Sequence, residues 1–476
     1  MNSRARILAT LVAALSIATA LWVGPRMWES QVTLASYRPA PPALTTWPAE
    51  AQERIHAADT TARNLWHARS GFTDLARLYQ ANGFFDEALA CYAGLREVEP
   101  GNARWSHLPA VILAGLGRLD EAEPLFLRAA ELAPDYLPAH VRAADVLLKA
   151  NRLDEAQQIY ADALARFGEQ PYALLGLARV AIARDEWTRA ETLLQRAIAT
   201  DPNFVGGLSL LATVLKQLNR DREADQIAAR VHRREFVEMP DPWVDALMDY
   251  CYNPYYLSVA ASAANFRREP GLAKRYLERA ASLAPNPTPY LRQLGQLLYL
   301  TRDYAEASRH LAQAVALTPT DAEAWTVWAN VLLAAGDRAA AYRVLADGLA
   351  HCPESGALRY VHGHLLSEDG QLPRAIEELR IAKRFRSTQA DVFFELGRAY
   401  FRVGEIEAGV AEMKAALTVQ PDHPSALVIV ARHAIDTGQA DAASDYVRRI
   451  RLQPRVAPED VELVSREFRE KFGGNP

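Results

Sequence analysis

Along most of the chain, apolar positions recur three and four residues apart, the spacing that gathers them on one face of a helix, in short stretches separated by polar breaks. The pattern repeats with a period of 34 from Arg69, Ala103, Leu137, Pro171 and Val205, and again from Pro254, Thr288, Ala322, Gly356, Ala390 and Pro424. These eleven repeats align without an internal gap. Their eighth position is always small, from Ala76 through Gly295 and Gly397 to Ala431, and so is their twentieth, from Ala88 through Gly409 to Ala443. Two small columns twelve apart predict a pair of antiparallel helices whose backbones approach closely. Large residues at the seventh, eleventh and twenty-fourth positions, such as Leu75, Tyr79 and Tyr92, fill the space around the crossing.

Turn chemistry points the same way. Gly83, Gly117, Gly336, Gly370, Gly404 and Gly438 stand where a first helix ends and a left-handed residue is wanted. Asp86, Asp120, Asp154, Thr188 and Asp441 are expected to cap the second helices. Pro100, Pro134, Pro202, Pro285, Pro319, Pro353 and Pro421 close seven of the repeats. Trp325, the run Leu396-Gly397-x2-Tyr400, the small twentieth position and the closing proline together resemble the tetratricopeptide-repeat family. Departures are mild: Gly168, Phe236, Ser387 and Arg455 replace the proline, and Pro109 intrudes in a first helix. The resemblance covers residues 69–457 apart from one insertion. It implies an all-α, right-handed superhelical solenoid of about eleven 34-residue helix-turn-helix repeats, and a role in binding other proteins.

The insertion, 239–253, separates repeats one to five (69–238) from repeats six to eleven (254–457). Asp241 suits an N-cap and Pro242 a first helical position, and Trp243, Leu247 and Tyr250 form an apolar stripe, so a short extra helix is expected. It is either a spacer packed on its neighbours or a partner-binding element or hinge. Residues 49–68 read as an N-terminal capping helix, and 458–476 as a C-terminal one with Val461, Leu463, Val464 and Phe468 at helical spacing.

Ahead of the repeats, Arg4 and Arg6 precede an uncharged stretch from Ile7 to Gly24, so 1–24 reads as a signal anchor or transmembrane helix. Ala18-Thr19-Ala20 also fits a cleavage site, which would give a secreted or periplasmic product. Uncleaved, the charge bias places a single-pass protein in an inner, cytoplasmic membrane with its repeats in the periplasm, as a bacterial, membrane-anchored or secreted member of the family would have them. Pro39, Pro41, Pro42 and Pro48 make 25–48 a Pro-rich linker, expected to be extended.

Charge and cysteine content narrow the chemistry. Lysine plus arginine number 53 against 58 acids, a net charge of -5, which gives no general attraction for nucleic-acid phosphates. The basic groups at Lys216, Arg220, Arg222, Arg230, Arg233 and Arg234, and at Arg380, Lys383, Arg384 and Arg386, read as solvated second-helix faces. Cys91, Cys251 and Cys352 form no C-x-x-C pair, and His362 and His364 point to different faces of a helix, so no metal or cofactor site is expected. Walker, G-x-S-x-G and H-E-x-x-H signatures are absent from the sequence, and no catalytic residue or small-molecule substrate is expected.

The family resemblance implies that the second, fifth, ninth, twelfth and thirteenth positions face a groove lined by first helices. The ninth column reads Arg77, Val111, Asp145, Arg179, Thr213, Ser262, Gln296, Asn330, His364, Arg398 and Arg432, polar in ten of eleven repeats. Arg292, Tyr299, Tyr360, Phe394, Phe401 and Arg402, with Tyr255 and Phe266, add the aromatic and arginine mix of binding hot spots. Gln296, Asn330 and His364 suit the backbone of an extended peptide, and Arg398, Arg402 and Arg432 suit its carboxylates. The expected function is a non-enzymatic scaffold for extended or acidic peptide segments on the extracytoplasmic side, in assembly or maturation of envelope, secreted or redox proteins. The alternative is the substrate-recognition subunit of an enzyme complex, such as a transferase or a polysaccharide-export system.

Overall fold

Residues 28–231, 239–386, 388–453 and 455–474 are described by a computed structural model of the protein. The fifteenth position of every repeat lies in the left-handed region. The six glycines expected there have φ between 73° and 86°, and Asn151, Asp185, Asn219, Arg268 and Arg302 take φ of 59° to 64° in the other five. This geometry lets the next N–H reach back to a carbonyl of the last helical turn, as Phe84 does to Tyr79 at 2.9 Å and Glu405 to Tyr400 at 3.0 Å. Every first helix therefore stops at the same place whether or not glycine is there, and the chain reverses into the second helix.

The second helices begin earlier than their aspartates suggest. Phe85–Val98, Leu119–Leu132 and Leu153–Phe167 place Asp86, Asp120 and Asp154 in the first turn, one residue inside the helix, where the carboxylate meets the positive end of the helix dipole. Capping by side chain occurs instead at Asp303 and Asp337, which accept from the N–H groups of Glu306 and Ala340. The small columns behave as expected and show what they face. A Cβ added to Gly295, Gly363 or Gly397, all at the eighth position, would come 2.5, 2.7 and 2.9 Å from Leu311, Leu379 and Met413 at the twenty-fourth. The large residue of the second helix thus sits in the notch left by the small residue of the first. Helix Arg104–Gly115 runs on through Pro109.

Two compact units divide the chain, Met1–Ala284 and Pro285–Pro476. The break falls after the sixth repeat and not at the insertion, which belongs wholly to the first unit. That unit holds repeats one to six behind the capping helix Ala49–Ala62. The capping helix approaches so closely that a Cβ on Gly71 would meet the backbone N of Ala62 at 2.2 Å. The stretch expected to be an extended linker is not extended throughout: residues 28–37 are helical, because the prolines begin only at Pro39. Leu34 is fully buried, and Tyr37 lies where a Cβ on Gly94 would touch it at 2.9 Å, so this segment packs on the repeats. The expected membrane helix, 1–24, lies outside the described residues; among those described, no helix is long and apolar enough to cross a membrane. The second unit holds repeats seven to eleven and the helix Pro458–Phe472, whose Val464 and Phe468 are buried against the last repeat as a terminal cap requires.

Candidate functional site

In the second unit, side chains link the first helix Thr288–Leu300 to the start of Ala322–Ala334, and Gly356–Glu368 to Ala390–Arg402 and on to the start of Pro424–Asp436, a ladder in two stretches. Arg292 pairs with Glu323 and lies 3.7 Å from Asp321, both at the start of the next first helix. His364 puts Nδ1 at 3.3 Å from Glu395 of the next repeat and stacks on Tyr360 at 6.3 Å. Arg398 pairs with the same Glu395 at 2.9 Å and lies over the Phe394 ring, which packs in turn on His423 at 4.8 Å. Arg386 reaches over Tyr360 from the end of a second helix.

Glu395, buried between His364 and Arg398, is the hub of this cluster. Burial alone would favour its neutral form, but the His364 and Arg398 contacts overcome that and hold its pKa below the ordinary glutamate value. The same carboxylate raises the pKa of His364, against a desolvation penalty that opposes it. The Tyr360 hydroxyl is pushed up to about 12, first by burial and then by Glu395. Together these groups form a cluster of charged and aromatic side chains.

The predicted groove residues divide on inspection. Arg292, Tyr360, His364, Phe394 and Arg398 are brought into the ladder; Asn330 and Tyr299 are exposed on the same set of helices, with Gln296 half-buried. Phe401 is half-buried and packs its ring toward the second helix, where a Cβ on Gly409 would meet it at 2.6 Å. The small residue at position twenty of this repeat leaves room that the phenyl ring takes. Arg402 is tied to the carbonyl of Ser367, and Arg432 makes two hydrogen bonds of 3.0 Å to Glu467 of the terminal helix. Neither is an unengaged receptor for a carboxylate. Tyr255 and Phe266 are exposed in the first unit and are no part of this ladder. Glu395, Arg386 and His423 were missed; Glu395 stands at a sixth position, where the family pattern predicts no groove contact.

The first unit has the corresponding face, and the insertion lies on it. Asp241, nearly fully buried, accepts from His107 Nε2 at 2.7 Å, Tyr136 OH at 2.6 Å and Arg142 Nε at 2.9 Å. Burial opposes its ionisation, yet these donors win and depress its pKa to about 2. An ionised carboxylate can only accept, so Nε2 of His107 carries the proton. Trp243 stacks face to face on Tyr136 with ring centres 3.7 Å apart, its edge toward His107, and Arg104 lies 5.5 Å from the indole. The insertion is one helical turn, Pro242–Asp245, followed by a tighter turn, Ala246–Tyr250. Its far end is fixed where Asn82 donates to Tyr250 O and accepts from the N–H of Tyr252, with Arg77 donating to the Tyr250 hydroxyl. Residues in direct contact here are up to 173 apart in sequence. Asp241 was legible as a cap, not as the guest of His107 and Arg142.

The basic groups on the second helices are largely matched by acids or carbonyls. Arg220 binds Glu191 and Glu223, Lys383 binds Glu412, and Arg230 donates to the carbonyl of Pro202.

Two family models described as tetratricopeptide repeat match the chain, one at residues 73–136 and 394–457, the other at 113–179 and 155–212. Among curated proteins, DnaJ homolog subfamily C member 3 of Gallus gallus is 23% identical over 109 residues, and its counterpart in Mus musculus 24% identical over 128. The matched stretch is 23% of this chain and only 22% of the chicken protein. Among solved structures, yeast Tom70 aligns over 84% of this chain and 95% of its own at 12% identity and a TM-score of 0.39. The Cut9-Hcn1 hetero-tetramer of APC/C aligns over 81% and 94% at 11% identity and 0.38, and MamA over 36% and 97% at 18% identity and 0.30.

Proposed function

Because the chain is a tetratricopeptide-repeat protein, and such repeats make an interaction scaffold, we propose that its second unit holds an extended, acidic segment of a partner protein along the ladder from Arg292 to Arg432. The observation that carries this reading is the exposed Arg398, stacked over Phe394 beside Tyr360 and His364. Arginine beside aromatic rings is the composition from which binding hot spots are built. Arg398 and Arg432 already pair with acids of the protein, but their side chains are 48% and 50% exposed. Exposed pairs of this kind are worth roughly 0–1 kcal/mol, so an incoming carboxylate exchanges partners at little cost. Tyr360 and Phe394 then offer flat apolar surface to neighbouring side chains of the segment.

We assign the chain no chemistry of its own, and place the repeats outside the cytoplasm, tethered through residues 1–24, in assembly or maturation of envelope, secreted or redox proteins. The charged-then-apolar order of that segment supports the tether. Leu34 is already in the core, so a tether would hold the repeats close to the membrane surface.

Fluorescence anisotropy with a set of extended acidic peptides tests the groove. Peptides that bind the full chain should lose affinity at least tenfold on Arg398→Glu combined with Arg432→Glu. Unchanged affinity in that double variant would put the partner elsewhere. A mass shift of about two kilodaltons between precursor and mature protein would replace the tether by a cleaved signal, leaving the groove intact.

A further inference from the structure

The first-helix face of repeats one to three is covered by the insertion. Asp241 caps the single helical turn Pro242–Asp245 and holds its carboxylate in a cage of three side-chain donors, with the Trp243 indole stacked on Tyr136. Counted from the repeat starts, Arg104 and His107 stand at the second and fifth positions of repeat two, where the family resemblance places a groove, while Tyr136 and Arg142 stand at the thirty-fourth position of repeat two and the sixth of repeat three, outside it. Beneath them the small columns are complete, with Ala76, Ala110, Ala144, Ala88, Ala122 and Ala156 all fully buried, so the two guest side chains add nothing to the crossing of the helices. Pro242, between them, is exposed. The far end, by contrast, is built in, since Cys251 and Tyr252 are buried and Asn82 holds the backbone there.

We propose that the face formed by His107, Tyr136, Arg142 and Arg104 is a second peptide site, specific for a partner segment carrying an aspartate followed two residues later by a tryptophan, and that Asp241 and Trp243 occupy it in cis. The site is independent of the ladder in the second unit. Selectivity follows from the chemistry. Three donors converge on one carboxylate and leave no acceptor for an amide, so asparagine in place of the aspartate is disfavoured. The Tyr136 ring with a guanidinium nearby suits a large aromatic over an aliphatic chain. Tethering at Tyr252 gives the cis segment a high local concentration, so a partner must compete with it. The site is therefore closed to weak ligands and open to a partner that brings a second contact.

The test uses the full chain and a labelled peptide that keeps the aspartate-x-tryptophan spacing in an otherwise unrelated sequence. Asp241→Ala with Trp243→Ala vacates the site. This variant should bind the peptide at least tenfold more tightly than the natural chain, and the gain should vanish when His107→Ala and Arg142→Ala are added or when the peptide's aspartate is replaced by asparagine. Equal binding by the natural chain and the vacated variant, or none by a vacated variant that keeps the natural chain's helix content at the assay temperature, would overturn the proposal. Hydrogen exchange on the natural chain reads the same question without any substitution. The Val244 amide should exchange through openings that leave Leu113 and Val146 protected; exchange of all three together, only on global unfolding, would make the segment a fixed part of the core and contradict the proposal.

Discussion

Oδ2 of Asp241 lies 2.7 Å from Nε2 of His107, a pair drawn together across 134 residues of sequence and sealed from solvent. It ties the insertion to the face of the second repeat. Asp241→Ala leaves His107 and Arg142 without their shared acceptor, and breaking a buried pair on one side costs about 3–5 kcal/mol. The first urea transition of the full chain should therefore move to markedly lower denaturant, with less effect on the later one; an unmoved transition would show the pair to be dispensable.

The acid dependence of that pair has a defined direction. The folded-state pKa of Asp241 is depressed to about 2, so its contribution is whole above the unfolded value of about 3.9 and is lost as pH falls through the folded one. The stability difference between the natural chain and Asp241→Asn should be constant from neutral pH down to about 5 and shrink below about 4. A difference that grows on acidification would reverse the sign and contradict the assignment.

His364 and Glu395 set opposite edges in the second unit. The raised pKa of His364 means stabilisation present below its unfolded value of about 6.5 and lost as pH rises through the folded one. The lowered pKa of Glu395 means stabilisation present above about 4.3 and lost as pH falls. Relative to His364→Gln, the natural second unit should be most stabilised at mildly acidic pH and lose the advantage on the alkaline side. With His364 partly exposed, the effect stays below about 1 kcal/mol. Melting curves at several pH values read it, and a pH-independent difference would refute it.

Gly71 and Gly115 make a contrast within the first unit. A methyl on Gly71 meets the Ala62 backbone, which cannot step aside as a side chain would, whereas nothing lies within 4 Å of a methyl on Gly115. Gly71→Ala should destabilise by about 2–3 kcal/mol. Gly115→Ala, exposed at a helix end, should be neutral or stabilise by up to about 1 kcal/mol. Similar midpoints for the two variants would mean that the capping helix does not hold this close approach in solution.

The repeat columns made the fold legible, because a clash between the eighth and twenty-fourth positions recurs at a fixed spacing and leaves its trace in residue size. The first-helix stops were legible only in part: Gly83 announces its left-handed turn, while Arg268 and Arg302 adopt the same turn with no local signal, held by the helices on either side. Groove residues such as Tyr360 and Arg398 could be placed by column, but what engages them could not. The acid that holds Arg432 lies on the terminal helix, which continues the 34-residue register but carries no repeat pattern of its own, and the acid that fills the His107 cage lies in the insertion, outside that register. The packing of Phe401 was not legible because it depends on Gly409, eight residues further on in the second helix.

The central claim is that the second unit binds a partner protein along its first helices. A photoreactive amino acid placed at Asn330, exposed on that face, and separately at Arg309, whose side chain is 69% exposed on a second helix, tests it in cells that make the protein. The account predicts a discrete protein crosslink from position 330 that disappears on Arg398→Glu with Arg432→Glu, and none from position 309. Crosslinks from 309 alone, or crosslinks from 330 that the double substitution leaves untouched, would contradict it.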